Sequence, residues 1–571
     1  MAIVQQYLFG SNHEFYAIVV SISDGSGGYG NLWRSAHAIT DDYLYINGVS
    51  RSSYSGVSSG MCAIKVELKS GNVIWQKEIS SNYIGPTPSA IDADSSGNVY
   101  ISGSTNSIMT QGANSTILLL KYNSSGVEQW RRGIGHTNPS PGTYHSSGWY
   151  VYTEYTISTD IHCDGTNKII IFGSDEVDGS SGLAVDNRNA FWIEINSAGA
   201  IGNEYTYKRN SSNSGGWRQN NYDTFGSYTR DSSGNVYASG VEEGPEAYWD
   251  DGSQKTIFVK LNSSGVIQWQ KEFRYIDTSR AQPGATGGGA PANTNGSITG
   301  VGKPAIDSSG NMYCTGLTRR GRGNGNMRIP HFFKIDSSGA LQWIRQLSDN
   351  PIFLTFDKGF MGCAVDRDTG DPYTISRQKL AGDWGNSSSF ISNYCYVITK
   401  WNSSGSMQWQ RVLVGHNTSQ QYSRMDFSGD HYSTGHRRNG GFDFVDRGIL
   451  IVCRIYDGSA SHVMYLKFPV DTYLVGDWEL PYNNGSGTFK LYIRDMSTGL
   501  VSTSVSSYAY YRNANKTRFN GCSGDNGPYT QSDFATQYNT NPVNSSDGSA
   551  LPTSNNTAYP FSAARFGIHN E

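Results

Sequence analysis

ADSSGNVYISG (Ala93–Gly103), RDSSGNVYASG (Arg230–Gly240) and IDSSGNMYCTG (Ile306–Gly316) repeat one pattern: a strand end, a polar turn, and a strand closing on small residues. The turn chemistry explains the composition. A leading Asp accepts hydrogen bonds from backbone amides two residues on, and Gly takes the positive-φ position that a tight hairpin requires. Looser copies read ITDDYLYING (Ile39–Gly48), HCDGTNKIIIFG (His162–Gly173), VDRDTGDPYTIS (Val365–Ser376) and MDFSGDHYSTG (Met425–Gly435).

A second element follows each of the first six: an apolar strand, an SSG-type turn and a strand carrying Trp. It reads KVELKSGNVIW (Lys65–Trp75), KYNSSGVEQW (Lys121–Trp130), KLNSSGVIQW (Lys260–Trp269), KIDSSGALQW (Lys334–Trp343) and KWNSSGSMQW (Lys400–Trp409), with a degenerate copy EINSAGAIG (Glu194–Gly202). Each pair of elements makes two hairpins, hence four antiparallel strands. Apolar runs such as Ile117–Leu120 do not alternate, which fits strands buried on both sheet faces. A unit recurring about every 45 to 75 residues predicts an all-β fold, a β-propeller whose blades carry loop insertions.

The propeller is expected over residues 1–480, with blades at about 36–80, 87–135, 155–209, 222–274, 298–347 and 359–413 and a closing region at 421–480. The segment Tyr16–Trp33 resembles the second element alone, so residues 16–35 read as a half-blade. It is expected to pair with Tyr422–Gly435 in a split closing blade, giving seven blades. His462–Trp478 also resembles a second element, so eight blades is the alternative. Residues 276–300 form a Gly/Pro-rich insertion. Residues 481–571 open on an expected hairpin in Thr488–Val505 and turn Asn/Ser/Thr/Tyr-rich without periodicity. Such an irregular extension buries little apolar area by itself and should order against the propeller, a partner or other copies of the chain.

Composition excludes several functions. A net charge of -4 argues against coating a nucleic-acid duplex. No stretch nears the roughly 20 apolar residues that span a bilayer, and no basic-then-apolar leader opens MAIVQQYLFGSNHEF. Seven scattered Cys without a CxxC pair read as buried free thiols. No nucleotide, zinc or nucleophile-elbow motif appears, so no catalytic residue, metal or cofactor is expected.

The two quoted elements resemble the SBBP beta-propeller repeat family, whose members read D-x-S-G-N-x-Y-x-[ST]-G followed by K-[LIY]-[ND]-x-S-G-x-x-x-W. The resemblance covers roughly residues 16–480 and is weakest at the third and seventh units. It implies a seven-bladed scaffold and no reaction. Members occur in secreted bacterial proteins and in virion proteins of tailed phages. The Tyr/Asn/Ser/Gly-rich loops and polar tail look more like the phage group, notably phages of marine cyanobacteria. The implied function is a non-enzymatic virion structural protein of the tail or particle surface, made in a host cytoplasm, serving assembly or host attachment. Its partners would be other virion proteins, copies of itself, or a host-surface glycan or protein. The alternatives are a host-envelope glycan depolymerase and a bacterial surface-adhesion propeller.

The repeated Asp94, Asp231 and Asp307 resemble sialidase Asp-boxes, which are themselves turn devices. Asp366, Asp368 and Asp371 have calcium-loop spacing, but the turn already accounts for them. Trp75, Trp130, Trp269, Trp343 and Trp409 hold a fixed place in the repeat and read as blade-packing residues. Binding candidates are loop aromatics outside the repeat: Trp149, Tyr150, Trp217, Tyr222, Tyr248 and Trp249. Arg319, Arg320 and Arg322 belong to a basic run that suits phosphate or an acidic neighbour.

Overall fold

The computed structural model describes residues 16–22, 31–51, 60–80, 87–105, 116–136, 156–163, 168–178, 186–209, 221–242, 255–276 (without 264–265), 295–301, 303–320, 327–347, 353–355, 360–380, 394–417, 425–427, 442–445, 448–456 and 461–469. It also describes nine strands between 476 and 570.

Seven blades of four antiparallel strands form a ring, a β-propeller. Blade 1 is Asn31–Ile39, Tyr43–Arg51, Gly60–Glu67 and Val73–Ser80. Blade 2 is Thr87–Ala93, Val99–Thr105, Thr116–Tyr122 and Glu128–His136. Blade 3 is Thr156–Cys163, Lys168–Asp178, Asp186–Asn196 and Ile201–Arg209. Blade 4 is Asn221–Arg230, Val236–Glu242, Lys255–Leu261 and Ile267–Ile276. In blade 5, Asn295–Val301 and Ala305–Ile306 share the first-strand position, followed by Met312–Arg320, Met327–Ile335 and Leu341–Leu347. In blade 6, Phe353–Thr355 and Phe360–Val365 share it, followed by Pro372–Leu380, Tyr394–Trp401 and Met407–Asn417.

Blade 7 closes the ring. Met425–Phe427 and Phe442–Val445 both pair with Gly448–Tyr456, which pairs with Ser461–Pro469. Tyr16–Ile22 supplies the fourth strand, pairing Tyr16 with Lys467 and Val20 with Val463. Closure is therefore split three-plus-one. Tyr16–Trp33 is not a two-strand element, and Trp33 already lies in the first strand of blade 1. The closing blade is split as expected, but Tyr16–Ile22 pairs with Ser461–Pro469 rather than with Met425–Phe427, the described part of 422–435. Ser461–Pro469 is the third strand of blade 7, so the likeness of His462–Trp478 to a second element does not make an eighth blade.

The core lies between blades. Leu118 and Leu120 pack with Tyr45, Ala63 and Trp75 of blade 1, while Ile117 and Leu119 pack with Ile169, Ile171 and Ile193 of blade 3. Consecutive residues on one strand thus enter two different cores, which is why the run Ile117–Leu120 is continuously apolar. Ile18 and Val20 join Ile46 and Ile64 of blade 1 and Val452 and Tyr465 of blade 7 in the core that seals the closure.

The C-terminal residues encircle the ring. Gly476–Asn483 and Thr488–Asp495 form a hairpin, and Thr488–Asp495 pairs with the fourth strand of blade 6. Ser502–Ser504 then adds to blade 5, Ala509–Asn513 to blade 4 and Lys516–Asn520 to blade 3. Tyr529–Ser532 adds to blade 2, Asn539–Asn541 to blade 1 and Phe561–Gly567 to Tyr16–Ile22 of blade 7. His569–Asn570 pairs back onto Gly476–Asn483. The expected hairpin within Thr488–Val505 is corrected: the partner of Thr488–Asp495 precedes it, and residues 502–504 have moved to the next blade.

Candidate functional site

The repeated polar residues are consumed by the scaffold. Asp94 Oδ1 accepts from the amides of Ser96 and Asn98 at 2.9 Å each, while Oδ2 accepts from Asn98 Nδ2 at 2.8 Å and the Tyr100 hydroxyl at 3.1 Å. Asp231 and Asp307 repeat this set with Tyr237 and Tyr313. Burial first, and the adjacent Asp second, push Tyr100 and Tyr313 well above the ordinary phenol range, so both stay protonated donors. In the DRDTGD turn, Asp366 accepts from the Asp368 amide at 2.9 Å and Asp371 pairs with Lys400 at 3.2 Å. Among the described residues no group of three His, Cys, Asp or Glu could hold a metal ion.

The Trp and Lys of the second elements in blades 1, 2, 4 and 5 lock one blade to the next. Trp75 Nε1 and Lys65 Nζ both donate to the Ser124 carbonyl of blade 2, each at 3.2 Å. Trp130 and Lys121 do the same to Ser197, Trp269 and Lys260 to Ser337, and Trp343 and Lys334 to Ser403. The turn Gly seats the indole: a Cβ on Gly126, whose φ is +77°, would lie 2.8 Å from Trp75 Cγ. Arg411 stacks over Trp409, 4.9 Å from the ring centroid. Blade 3 carries no Trp in its degenerate element, so the joint to blade 4 relies instead on apolar contact, with Tyr228 stacked on Phe172 at 4.0 Å.

Beyond these locks, charged groups converge on the axis from first strands and neighbouring segments. Lys303, beside the first strand of blade 5, has its Nζ 3.9 Å from Asp443 Oδ2 of blade 7. Asp160 of blade 3 and Asp92 of blade 2 also act on its charge, as does Arg367 of blade 6. One ammonium under the influence of four other blades can sit only at the hub. Burial lowers its pKa, but Asp443, then Asp160 and Asp92, outweigh this and leave it raised. The Lys303 and Asp443 side chains keep 35% and 47% exposure. With that exposure, solvent screening moderates the burial penalty.

Two histidines border the hub. His37 of blade 1 is 9% exposed, and burial lowers its pKa to about 4 against the opposing pull of Asp443. It is neutral at pH 7. His162 Nδ1 lies 3.3 Å from Asp92 Oδ2, which also accepts from the Cys163 amide at 2.7 Å. The site thus offers three carboxylates, one ammonium and two imidazoles, a set suited to hydrogen-bonding a polar ligand. Sequence reading singled out none of Lys303, Asp92, Asp160, Asp443, His37 and His162 as a group. The available signal was a polar residue interrupting an apolar first strand, as in SAHAI (Ser35–Ile39) or FDFV (Phe442–Val445).

Trp149, Tyr150, Trp217, Tyr248, Trp249 and Arg322 lie outside the described residues. Tyr222 falls in the first strand of blade 4, and Arg319 and Arg320 end the second strand of blade 5. Cys62, Cys163, Cys314 and Cys363 are buried, and burial pushes the Cys363 thiol up to about 12.

A beta-propeller repeat family model matches residues 75–108, from Trp75 through the Asp94 turn and the second strand of blade 2. The match spans the joint between blades 1 and 2. It supports the beta-propeller family. No curated protein matches the chain. Similar solved structures include a subtype N10 neuraminidase-like protein of A/little yellow-shouldered bat/Guatemala, at 9% identity and TM-score 0.34, covering 79% of this chain and 97% of that one. The exotype rhamnogalacturonan lyase YesX is 12% identical with TM-score 0.26, covering 78% and 90%. A GH43 protein from Bacillus licheniformis is 11% identical with TM-score 0.24, covering 95% and 98%. Likeness at this level carries no inference about activity.

Proposed function

We propose that this propeller is a non-enzymatic structural protein of a tailed-phage particle, serving assembly or attachment to a host surface. The observation that carries the reading is double closure. The N-terminal strand seals blade 7, and the C-terminal residues add a strand to the outer edge of all seven blades. A disc in which every blade edge carries an added strand resists edge-to-edge aggregation, a property that suits a component packed at high local concentration. The repeated Asp, Tyr, Lys and Trp serve turns and joints, which leaves recognition to loops and hub. The resemblance to phage virion proteins supplies the context. Mass spectrometry of purified particles tests the reading: peptides of this chain at stoichiometric abundance are expected, and their absence overturns it.

A second reading, a host-envelope glycan depolymerase, is favoured by the carboxylates of Asp92, Asp160 and Asp443 around Lys303 at the hub. Glycoside cleavage uses paired carboxyl groups. Release of reducing ends from host polysaccharide, lost in Asp443→Asn, would favour the enzyme; no release would leave the structural role.

A further inference from the structure

We propose that residues 502–570 are a detachable clasp, and that the fourth-strand edges beneath it, on every blade but the sixth, are the surface on which a second copy of this chain docks once the clasp is displaced. The encircling strands visit the blades in the order 6, 5, 4, 3, 2, 1, 7, opposite to the order in which the body was built. Blade twist makes this path possible. Successive strands rotate by about 20–25°, so the outer strands of a blade lie steeply inclined to its first strand and run along the circumference. A fifth strand on one blade then points toward the next, and two residues, 514–515, suffice to link the additions on blades 4 and 3.

Each addition is short. Three residues pair on blade 5 and three on blade 1, four on blade 2, five on blades 4 and 3, and seven on blades 6 and 7. Ladders of three to five residues are marginal individually and release singly at low cost, whereas blade cores do not. The last addition also follows the longest connection in the encircling segment. Nineteen residues, 542–560, separate Asn539–Asn541 from Phe561–Gly567. Release exposes unpaired N–H and C=O rows, which accept any extended strand because pairing reads backbone. Six such edges lie beneath residues 502–570, and two bared edges pair with each other as antiparallel strands, so a second copy docks without any foreign sequence. That particle assembly supplies the concentration rests on the proposed function.

The test uses the full chain with a protease site inserted within residues 496–501, cut after folding, and the released segment displaced by mild denaturant and gel filtration. Sedimentation of the stripped body should show concentration-dependent association absent from the uncut chain. Adding back the 502–571 fragment should return the body to the size of the uncut chain. Three results overturn the proposal: a stripped body that keeps its size, association the fragment does not reverse, or a segment that leaves only when the blades unfold. In the uncut chain, Tyr511→Pro with Thr517→Pro removes backbone donors on blades 4 and 3. A several-fold rise in the associated fraction is expected, and no rise contradicts the clasp.

Discussion

The propeller body and the segment encircling it are both made of strands, yet they are specified differently. In the body, each blade is fixed by side chains: Asp and Gly set the turns, alternate apolar residues feed two cores, and Trp with Lys reaches the next blade. In the encircling residues 476–570, register is recorded in backbone pairing to an edge that already exists. A strand that completes another sheet needs compatible extension and little else, so its sequence is free to lose periodicity. A repeat therefore marks regions that build their own cores, and its loss need not mean loss of order.

The contrast can be broken by substitution, beginning with the largest effect. Trp75, fully buried between blades 1 and 2, should cost about 3–5 kcal/mol on Trp75→Ala, read as a lowered denaturant midpoint. The half-buried Trp343, which makes the same hydrogen bond, should cost less. Equal losses would mean the hydrogen bond rather than burial governs the joint.

Acid should act on the body next. Burial lowers His37 to about 4 and His331 to about 3. Both would bind a proton more readily in the unfolded chain, so stability is full above the unfolded value near 6.5. It falls as pH drops from there toward the folded values, by on the order of 3 kcal/mol per histidine. Melting temperatures measured from pH 7 to 4 should decline, and His331→Gln should flatten part of the slope. An unchanged slope would contradict the assignment.

Glycine substitutions discriminate within the turns. Gly405 has φ +78° and would place a Cβ 2.8 Å from the Trp343 ring, whereas Gly370, at φ +73°, has nothing within 4 Å. Gly405→Ala should cost about 2–3 kcal/mol and Gly370→Ala about 1 kcal/mol. Equilibrium unfolding would compare them, and equal costs would mean the turn does not seat the indole. The smallest effect belongs to the encircling segment. Tyr511→Pro should leave the body's midpoint within about 1 kcal/mol of the parent while locally speeding exchange in residues 509–513 and 271–275.

What was legible follows from the same contrast. Blade positions could be read because each turn states its own chemistry locally, as Asp94, Gly97 and Asn98 do. Closure was legible only in outline. The SDGSGG stretch after Tyr16–Ile22 looks like an internal hairpin turn, but the chain passes from blade 7 into blade 1, where Asn31–Ile39 is a first strand. The hub was not legible. Lys303, Asp160 and Asp443 stand at non-equivalent points of blades 5, 3 and 7, and only ring closure brings them together.

Hydrogen exchange with mass spectrometry on the intact chain tests most directly the central claim, that no blade edge is left open. Covered residues such as Tyr205–Arg209, Lys271–Tyr275 and Tyr16–Val20 should exchange at their outward-facing amides more slowly than exposed sheet edges do, and faster than the inner strands Lys168–Asp178 and Val236–Glu242, because the short added ladders open locally. Outward-facing amides exchanging at rates typical of exposed sheet edges would contradict it.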